Sequence, residues 1–280
     1  MAADRPTFRA AVLGSPVAHS LSPRLHNAGY AALGLDDWHY TYAEVAEGEL
    51  VDFVQGLDET WRGLSLTMPL KEVAFEVATT TSELARRTRS INTLVRRPDG
   101  TWYGDNTDVH GIVESVRHVP HGGAAVLIGA GATARSAVAA LAELEVRQVR
   151  IAARRSEQAL ALVEVGASMG VAGHAVPLDE WAGSPLPPLV VSTVPVGAGA
   201  TLVAAAEAVA GRLDAVTLFD VVYANWPSPL AAAVQAAGGQ TISGLEMLIH
   251  QALRQFEMFT AGHTSERLDI DVLRAAVRDL

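Results

Sequence analysis

The sequence predicts two α/β domains, and three observations carry that expectation. Apolar runs of strand length alternate with helical patterns through most of the 280 residues, which implies parallel βαβ units. One such run, AAVLIG (124–129), passes through glycines directly into a helical stretch. A long helical pattern near the end could return the chain to its first half.

FRAAVLG (8–14) is an apolar run closed by glycine, the pattern of a buried strand. SLSPRLHNAGYAALG (20–34) reads as a helix with Ser22 as N-cap, Pro23 at the first helical position, and Leu25, Ala28 and Ala32 on one face. WHYTYAEV (38–45) and RGLSLTM (62–68) are two further strands. INTLVRRPDGTWYGDNTD (91–108) reads as a hairpin turning at Pro98-Asp99-Gly100. A helix follows from Asp108, with Val109, Ile112, Val113 and Val116 at helical spacing.

The second pattern begins near Gly123. AAVLIG is a strand, AGATARSAVAALAEL (130–144) a loop and helix, QVRIAAR (148–154) a strand and SEQALALVEVGASMG (156–170) a helix. PLVVSTV (188–194), AVTLFDVVY (215–223) and TISGL (241–245) are further strands. Ser243 and Glu246 have capping-box spacing, and behind them Leu245, Leu248, Ile249, Ala252, Leu253, Phe256 and Phe259 share one helix face.

The composition narrows the function. A formal net charge of −10 argues against a nucleic-acid partner, which needs a basic surface. The absence of cysteine excludes thiolate metal sites and thiol nucleophiles. No HExxH spacing occurs among the histidines, and no metal is expected. The opening MAADRPTFRA lacks the apolar core of a signal peptide, and the long uncharged run SPLPPLVVSTVPVGAGATLVAAA (184–206) is broken by prolines and glycines. A cytoplasmic protein with no membrane partner is expected.

Gly129 and Gly131 sit between strand and helix, where a pyrophosphate needs close backbone approach and a helix N-terminus. Ala134 takes the place of the third glycine of the usual fingerprint. The next strand ends in IAARRS (151–156), with Arg154 and Arg155 where NAD enzymes carry a carboxylate. Two guanidiniums suit a 2′-phosphate, so NADP is the expected cofactor; a solvated surface pair is the alternative. In the first half SLSP (20–23), SLTMPLK (65–71) and DNTD (105–108) each follow a strand or turn, and Asn92 lies at the hairpin edge. Hydroxyls, amide, carboxylate and ammonium would converge at the carboxyl edge of a sheet, a setting for a small polyol.

Taken in order, GSPVAHSLSP, LTMPLK, SINTL, GDNTD, GAGATAR and SGLEMLIHQA are similar to the motifs of the shikimate dehydrogenase family, over nearly the whole chain. The resemblance implies an N-terminal substrate domain with a mostly parallel sheet (1–108 plus 246–280), completed by the returning C-terminal helix. A Rossmann-like NADP-binding domain (109–245) lies between. It implies reversible NADPH-dependent reduction of 3-dehydroshikimate to shikimate, in the biosynthesis of chorismate and the aromatic amino acids. Carried over, Ser20 and Ser22 would hold the substrate carboxylate, and Thr67, Lys71, Asn92 and Asp108 its ring hydroxyls. Gly129, Ala130, Gly131, Ala132 and Thr133 would cradle the pyrophosphate, with Arg154 on the 2′-phosphate. Ser192 and Thr193 match the nicotinamide side, Val221 and Gly244 positions near the nicotinamide, and Tyr223 and Gln251 substrate contacts. Glu83 matches an acidic position near the cofactor. Three residues depart from the family pattern: Ser65 for a common asparagine, Ala132 for a further glycine, Glu246 for a usual glycine.

Lys71 and Asp108 form the expected catalytic pair, Lys71 as acid for ketone reduction and Asp108 orienting it. A neighbouring carboxylate favours the ammonium and desolvation the free amine. Structural roles compete at several positions: a lysine after a strand is ordinarily a solvated charge, Asp108 would suit a helix N-terminus in any case, and Ser22 could cap and bind at once. Two rivals remain, a quinate/shikimate dehydrogenase of the same fold that could accept NAD, and a non-catalytic dinucleotide-binding metabolite sensor. A monomer or a homodimer fits equally.

Overall fold

An apolar run with no helical period can be buried on both faces only inside a sheet, and β1 (Phe8–Gly14) is buried from Ala10 onward. The computed structural model describes residues 8–195 and 199–279; the first seven residues and 196–198 of the long uncharged run lie outside the described residues. The chain divides into two compact units, Met1–Thr107 with Ile249–Leu280, and Asp108–Leu248.

In the first unit β1 is followed by α1 (Ser22–Ala32), β2 (Trp38–Glu44), α2 (Leu50–Gln55), β3 (Trp61–Leu66), α3 (Leu70–Val73), β4 (Thr80–Thr81), α4 (Glu83–Thr88), β5 (Thr93–Arg96) and β6 (Trp102–Asp105). The sheet order is β2-β1-β3-β5-β6-β4. Only β5 runs against the rest, through its antiparallel pairing with β3 and β6. The carboxyl ends of β1, β3 and β6 and the amino end of β5 therefore share one edge. The hairpin turns where Pro98-Asp99-Gly100 predicts, closed by Arg97 N to Thr101 O at 2.8 Å.

The second unit holds α5 (Thr107–Val116), β7 (Ala124–Ile128), α6 (Ala132–Glu143), β8 (Gln148–Ala153), α7 (Ser156–Ser168), β9 (Ala172–Pro177), β10 (Leu189–Ser192), α8 (Gly199–Ala208), β11 (Thr217–Asp220), α9 (Pro229–Ala236) and β12 (Gln240–Ser243). α10 (Gly244–Phe259) then leads back into the first unit, which ends with α11 (Ile270–Ala276). The sheet order is β12-β11-β10-β7-β8-β9, parallel throughout. Counted within the unit and read from β9, this is third-second-first-fourth-fifth-sixth, a doubly wound sheet whose strand order reverses between β7 and β10.

Three details differ from what the sequence leads one to expect. Ser22 is already inside α1, with Leu21 at the N-cap and no side-chain cap. The chain turns one residue earlier than expected, through Ser20 N to Val17 O, so the Ser22 hydroxyl is not consumed by capping. The buried face of that helix is Leu25, His26, Gly29 and Tyr30 rather than Leu25, Ala28 and Ala32, of which Ala32 is exposed. β9 had no apolar signal, because AGHAVP forms an edge strand with no fully buried residue.

Behind the first sheet, α1 and α10 meet β2 in an aromatic cluster. His26 stacks on Tyr40 at 4.1 Å and 6°, with Phe259 at 5.7 Å and Tyr30 at 6.3 Å. Gly63 of β3 leaves room for the Phe259 ring, which a side chain there would strike. Neither His26 nitrogen has a hydrogen-bond partner among the described residues. Burial lowers its pKa from 6.5 to about 3, with the nearby Gln255 side chain offsetting only part.

The unfolded chain takes up a proton at His26 near pH 6.5 while the folded chain stays neutral to about pH 3. Stability is therefore lost as pH falls through that window, by up to about 1.4 kcal/mol per pH unit. His26→Phe keeps the stack and removes the titration. Its unfolding free energy, measured with denaturant between pH 7 and 4, should fall less steeply than that of the unsubstituted protein; equal slopes would refute the assignment.

Candidate active site

At the carboxyl edge of the first sheet the register sets Ser65 opposite Thr93 and Thr93 opposite Asp105. The next residue outward on β5 is Asn92, held by Leu66 N to Asn92 O at 2.7 Å and Asn92 N to Asp105 O at 3.1 Å. The Asn92 side chain is buried and its Oδ1 accepts from Thr107 N at 2.7 Å, Thr93 Oγ1 at 2.8 Å and Thr107 Oγ1 at 3.0 Å. A backbone N–H can only donate, so the amide is oriented with its oxygen toward Thr107 and its Nδ2 toward Gln251 Oε1, at 3.5 Å.

The other predicted substrate residues of this unit stand on neighbouring loops. Ser20 Oγ accepts from Ser22 N at 3.3 Å, and Ser22 is buried. Thr67 follows β3, its N–H on Leu13 O of β1 at 2.9 Å. Lys71, half-buried in α3, has its carbonyl tied to Ile91 N at 2.8 Å, one residue before Asn92. Gln251 is buried on α10. Asp108 is buried in the first turn of α5, next in the chain to Thr107. The helix dipole favours an acid at that position.

Sequence reasoning missed the residues behind Asn92. Gln255 is fully buried, with Nε2 donating to Thr93 Oγ1 at 2.9 Å and to Asn92 O at 3.3 Å. Its Oε1 accepts from Ser65 Oγ at 2.7 Å, and Ser65 accepts from the Tyr40 hydroxyl at 2.6 Å. Burial pushes the Tyr40 phenol well up, while hydrogen bonds with Ser65 and Ser22 offset only part, so Tyr40 stays a donor. The signal available in the sequence was a glutamine one turn after Gln251, set into an apolar helix face.

In the second unit most of the predicted cofactor residues line the carboxyl edge of the sheet. Gly129 donates to Ala152 O at 2.9 Å, Thr193 to Ile128 O at 2.8 Å, Val221 to Ser192 O at 3.0 Å and Gly244 to Val222 O at 3.2 Å. Gly129 has φ +109°, and a side chain there would run into Thr193 Oγ1. Beyond it Ala130, Gly131, Ala132 and Thr133 lead into α6, whose N-cap, Gly131, makes no side-chain cap and has open space where a Cβ would stand. An open glycine turn at a helix N-terminus suits an anion. Arg154 and Arg155 are exposed after β8. Tyr223 lies two residues after Val221 on the same loop, its phenol pushed up by burial. Glu83 is exposed on α4 of the first unit and paired with Arg87 at 2.5 Å.

Among the described residues no group of three or more metal-ligating side chains is placed to hold an ion. None of the described helices is long and apolar enough to cross a membrane. A doubly wound sheet with a glycine cradle at its reversal point, accompanied by a second α/β unit with a polar edge, defines a dinucleotide-dependent oxidoreductase.

Comparison with known proteins narrows the class. The family description "Shikimate dehydrogenase substrate binding domain" matches residues 12–94, and "Shikimate 5'-dehydrogenase C-terminal domain" matches residues 244–278. The chain is 37% identical to shikimate dehydrogenase (NADP(+)) of Methylobacterium radiotolerans, over 90% of each chain. The crystal structure of Mycobacterium tuberculosis shikimate dehydrogenase is 41% identical, with a TM-score of 0.85 over 98% of this chain and 100% of that one. The Thermus thermophilus shikimate 5-dehydrogenase in complex with NADP(H) and shikimate is 28% identical, with a TM-score of 0.78 over 97% and 99%. The chain belongs to the shikimate dehydrogenase family. NADP, the cofactor expected from the sequence, is the one named for the Methylobacterium radiotolerans and Thermus thermophilus proteins.

Gly129→Ala places a Cβ at a strained φ and against Thr193. It should lower the unfolding free energy by about 1–3 kcal/mol and weaken NADP+ binding in a fluorescence titration. Unchanged stability and affinity would show that the turn tolerates a side chain.

Proposed function

We infer that the chain catalyses the reversible NADPH-dependent reduction of 3-dehydroshikimate to shikimate, a step of aromatic biosynthesis. The observation that carries this reading is the polar edge built around Asn92. A buried amide of set orientation, hydroxyls and a lysine loop tied to it by a main-chain bond stand where sheet ligands bind. A site of this kind selects a ring bearing several hydroxyls, because an analogue lacking one leaves buried polar groups unpaired.

In this reading Ser20 and Ser22 receive the substrate carboxylate, and Thr67, Asn92, Tyr223 and Gln251 the ring oxygens. Lys71 delivers the proton to the carbonyl oxygen during reduction and recovers it during oxidation, with Asp108 orienting it and hydrogen-bonding the hydroxyl. Residues 129–133 would hold the pyrophosphate, Arg154 with Arg155 the 2′-phosphate, and Ser192, Thr193, Val221 and Gly244 the nicotinamide end. Glu83 would serve as an acidic residue near the cofactor. When bound, the cofactor supplies or accepts the hydride. Residues 1–108 with 246–280 act as the substrate domain and 109–245 as the cofactor domain, and the enzyme works in the cytoplasm.

Two assays test the reading. Reduction of NADP+ with shikimate should exceed that with quinate or with NAD+, and Lys71→Ala should lower kcat by about 10²–10⁴-fold with the KM for NADP+ unchanged. Unchanged turnover would remove Lys71 from the chemistry. Replacing Arg154 and Arg155 together by alanine should raise the KM for NADP+ by about 10–100-fold and leave that for NAD+ unaltered, since a charged hydrogen bond to phosphate is worth about 1.5–3 kcal/mol. Equal effects on both cofactors would refute the 2′-phosphate role.

A further inference from the structure

The hydrogen bonds from Tyr40 through Ser65 and Gln255 to the Asn92 carbonyl admit one consistent direction of donation. The Asn92 carbonyl can only accept, which sets the Gln255 amide with Nε2 toward Asn92 O and Thr93 Oγ1, and Oε1 toward Ser65. Ser65 must then donate to Gln255, so its remaining capacity accepts from the Tyr40 hydroxyl. On the other side, the Thr93 hydroxyl accepts from Gln255 Nε2 at 2.9 Å and lies 2.8 Å from Asn92 Oδ1, to which it can donate, and 2.9 Å from Thr107 Oγ1, where either hydroxyl can donate. Thr107 N anchors that oxygen independently at 2.7 Å. Tyr40, Ser65, Thr93, Asn92 and Gln255 are all buried. At the far end, the Tyr40 hydroxyl also meets the Ser22 side chain.

The geometry points to Gln255 as a positioning residue for the substrate site: it locks the main chain at Asn92 and the Thr93 hydroxyl so that Asn92 turns its Nδ2 donor toward Gln251. It acts through Asn92 and touches no reacting atom. The inference rests on the substrate role of Asn92 proposed above. It assigns to the ligand oxygen that meets Asn92 the part of a hydrogen-bond acceptor. It also gives Ser65, a departure from the family pattern, a place in the same chain, since its short hydroxyl spans the gap between Tyr40 and Gln255.

A double-mutant cycle on the full-length enzyme tests this, with Gln255→Leu, Asn92→Ala and their combination assayed for shikimate oxidation at saturating NADP+. Gln255→Leu should raise the KM for shikimate about tenfold, the equivalent of about 1.4 kcal/mol, with the KM for NADP+ within about twofold of the starting value. In the Asn92→Ala background the same substitution should add almost nothing, because the group it positions is gone. Additive effects in the two backgrounds, or a loss of thermal stability with the KM for shikimate unchanged, would overturn the inference. A silent Gln255→Leu beside a damaging Asn92→Ala overturns the role of Gln255 alone, whereas a silent Asn92→Ala overturns the substrate role of Asn92 with it. Should Gln255→Leu fail to fold, Ser65→Ala removes one hydroxyl from the same chain. It should raise the KM for shikimate about threefold, an effect absent in the Asn92→Ala background; an unchanged KM overturns the inference.

Discussion

A buried polar atom without a partner costs about 1–3 kcal/mol, and that constraint governs the hydrogen bonds around Asn92. Asn92 lies where three strand ends and a helix start come together, and its oxygen is claimed by Thr107 N before any side chain has a choice. Each bond behind it follows from that donor and from the neighbouring Asn92 carbonyl. A polar network in a low-dielectric interior is strong when every member is satisfied and damaging when one is missing. Here it links α10 to the strand ends, and so ties α10 to the edge where the residues proposed to meet substrate stand.

In the second unit the corresponding constraint is topological. A parallel sheet whose strand order reverses leaves a crevice at the carboxyl ends, and β7 and β10 flank it. The main-chain bonds that run along this edge place Gly129, Thr193, Val221 and Gly244 in one row. Gly129 is required there because its backbone conformation and the Thr193 hydroxyl both exclude a Cβ. The α6 N-terminus supplies unsatisfied N–H groups and a favourable dipole for an anion.

The three departures from the family pattern have local physical settings. Ser65 is absorbed into the buried chain from Tyr40 to Gln255. Ala132 opens α6, where a methyl is compatible with the first helical turn. Glu246 lies in the first turn of α10, where an acid complements the helix dipole. Family membership thus coexists with local solutions of this chain's own.

The sequence by itself determined all strands of the two sheets but β4 and β9, the glycine turn, the guanidinium pair and the segments bearing Ser20, Lys71, Asn92 and Asp108. These are readable because periodicity, turn chemistry and strand-to-helix junctions are short-range properties of the chain. Only the tertiary structure decided what those side chains do with their hydrogen bonds. It took Ser22 out of the capping position, paired Glu83 with Arg87, and disclosed Tyr40, Thr93, Thr107 and Gln255 behind the site. It also added β9, an edge strand without an apolar run. The reason is range: Ser65 and Gln255 are 190 residues apart, and no local pattern registers a bond whose two ends meet only after the sheet and the last helix have packed.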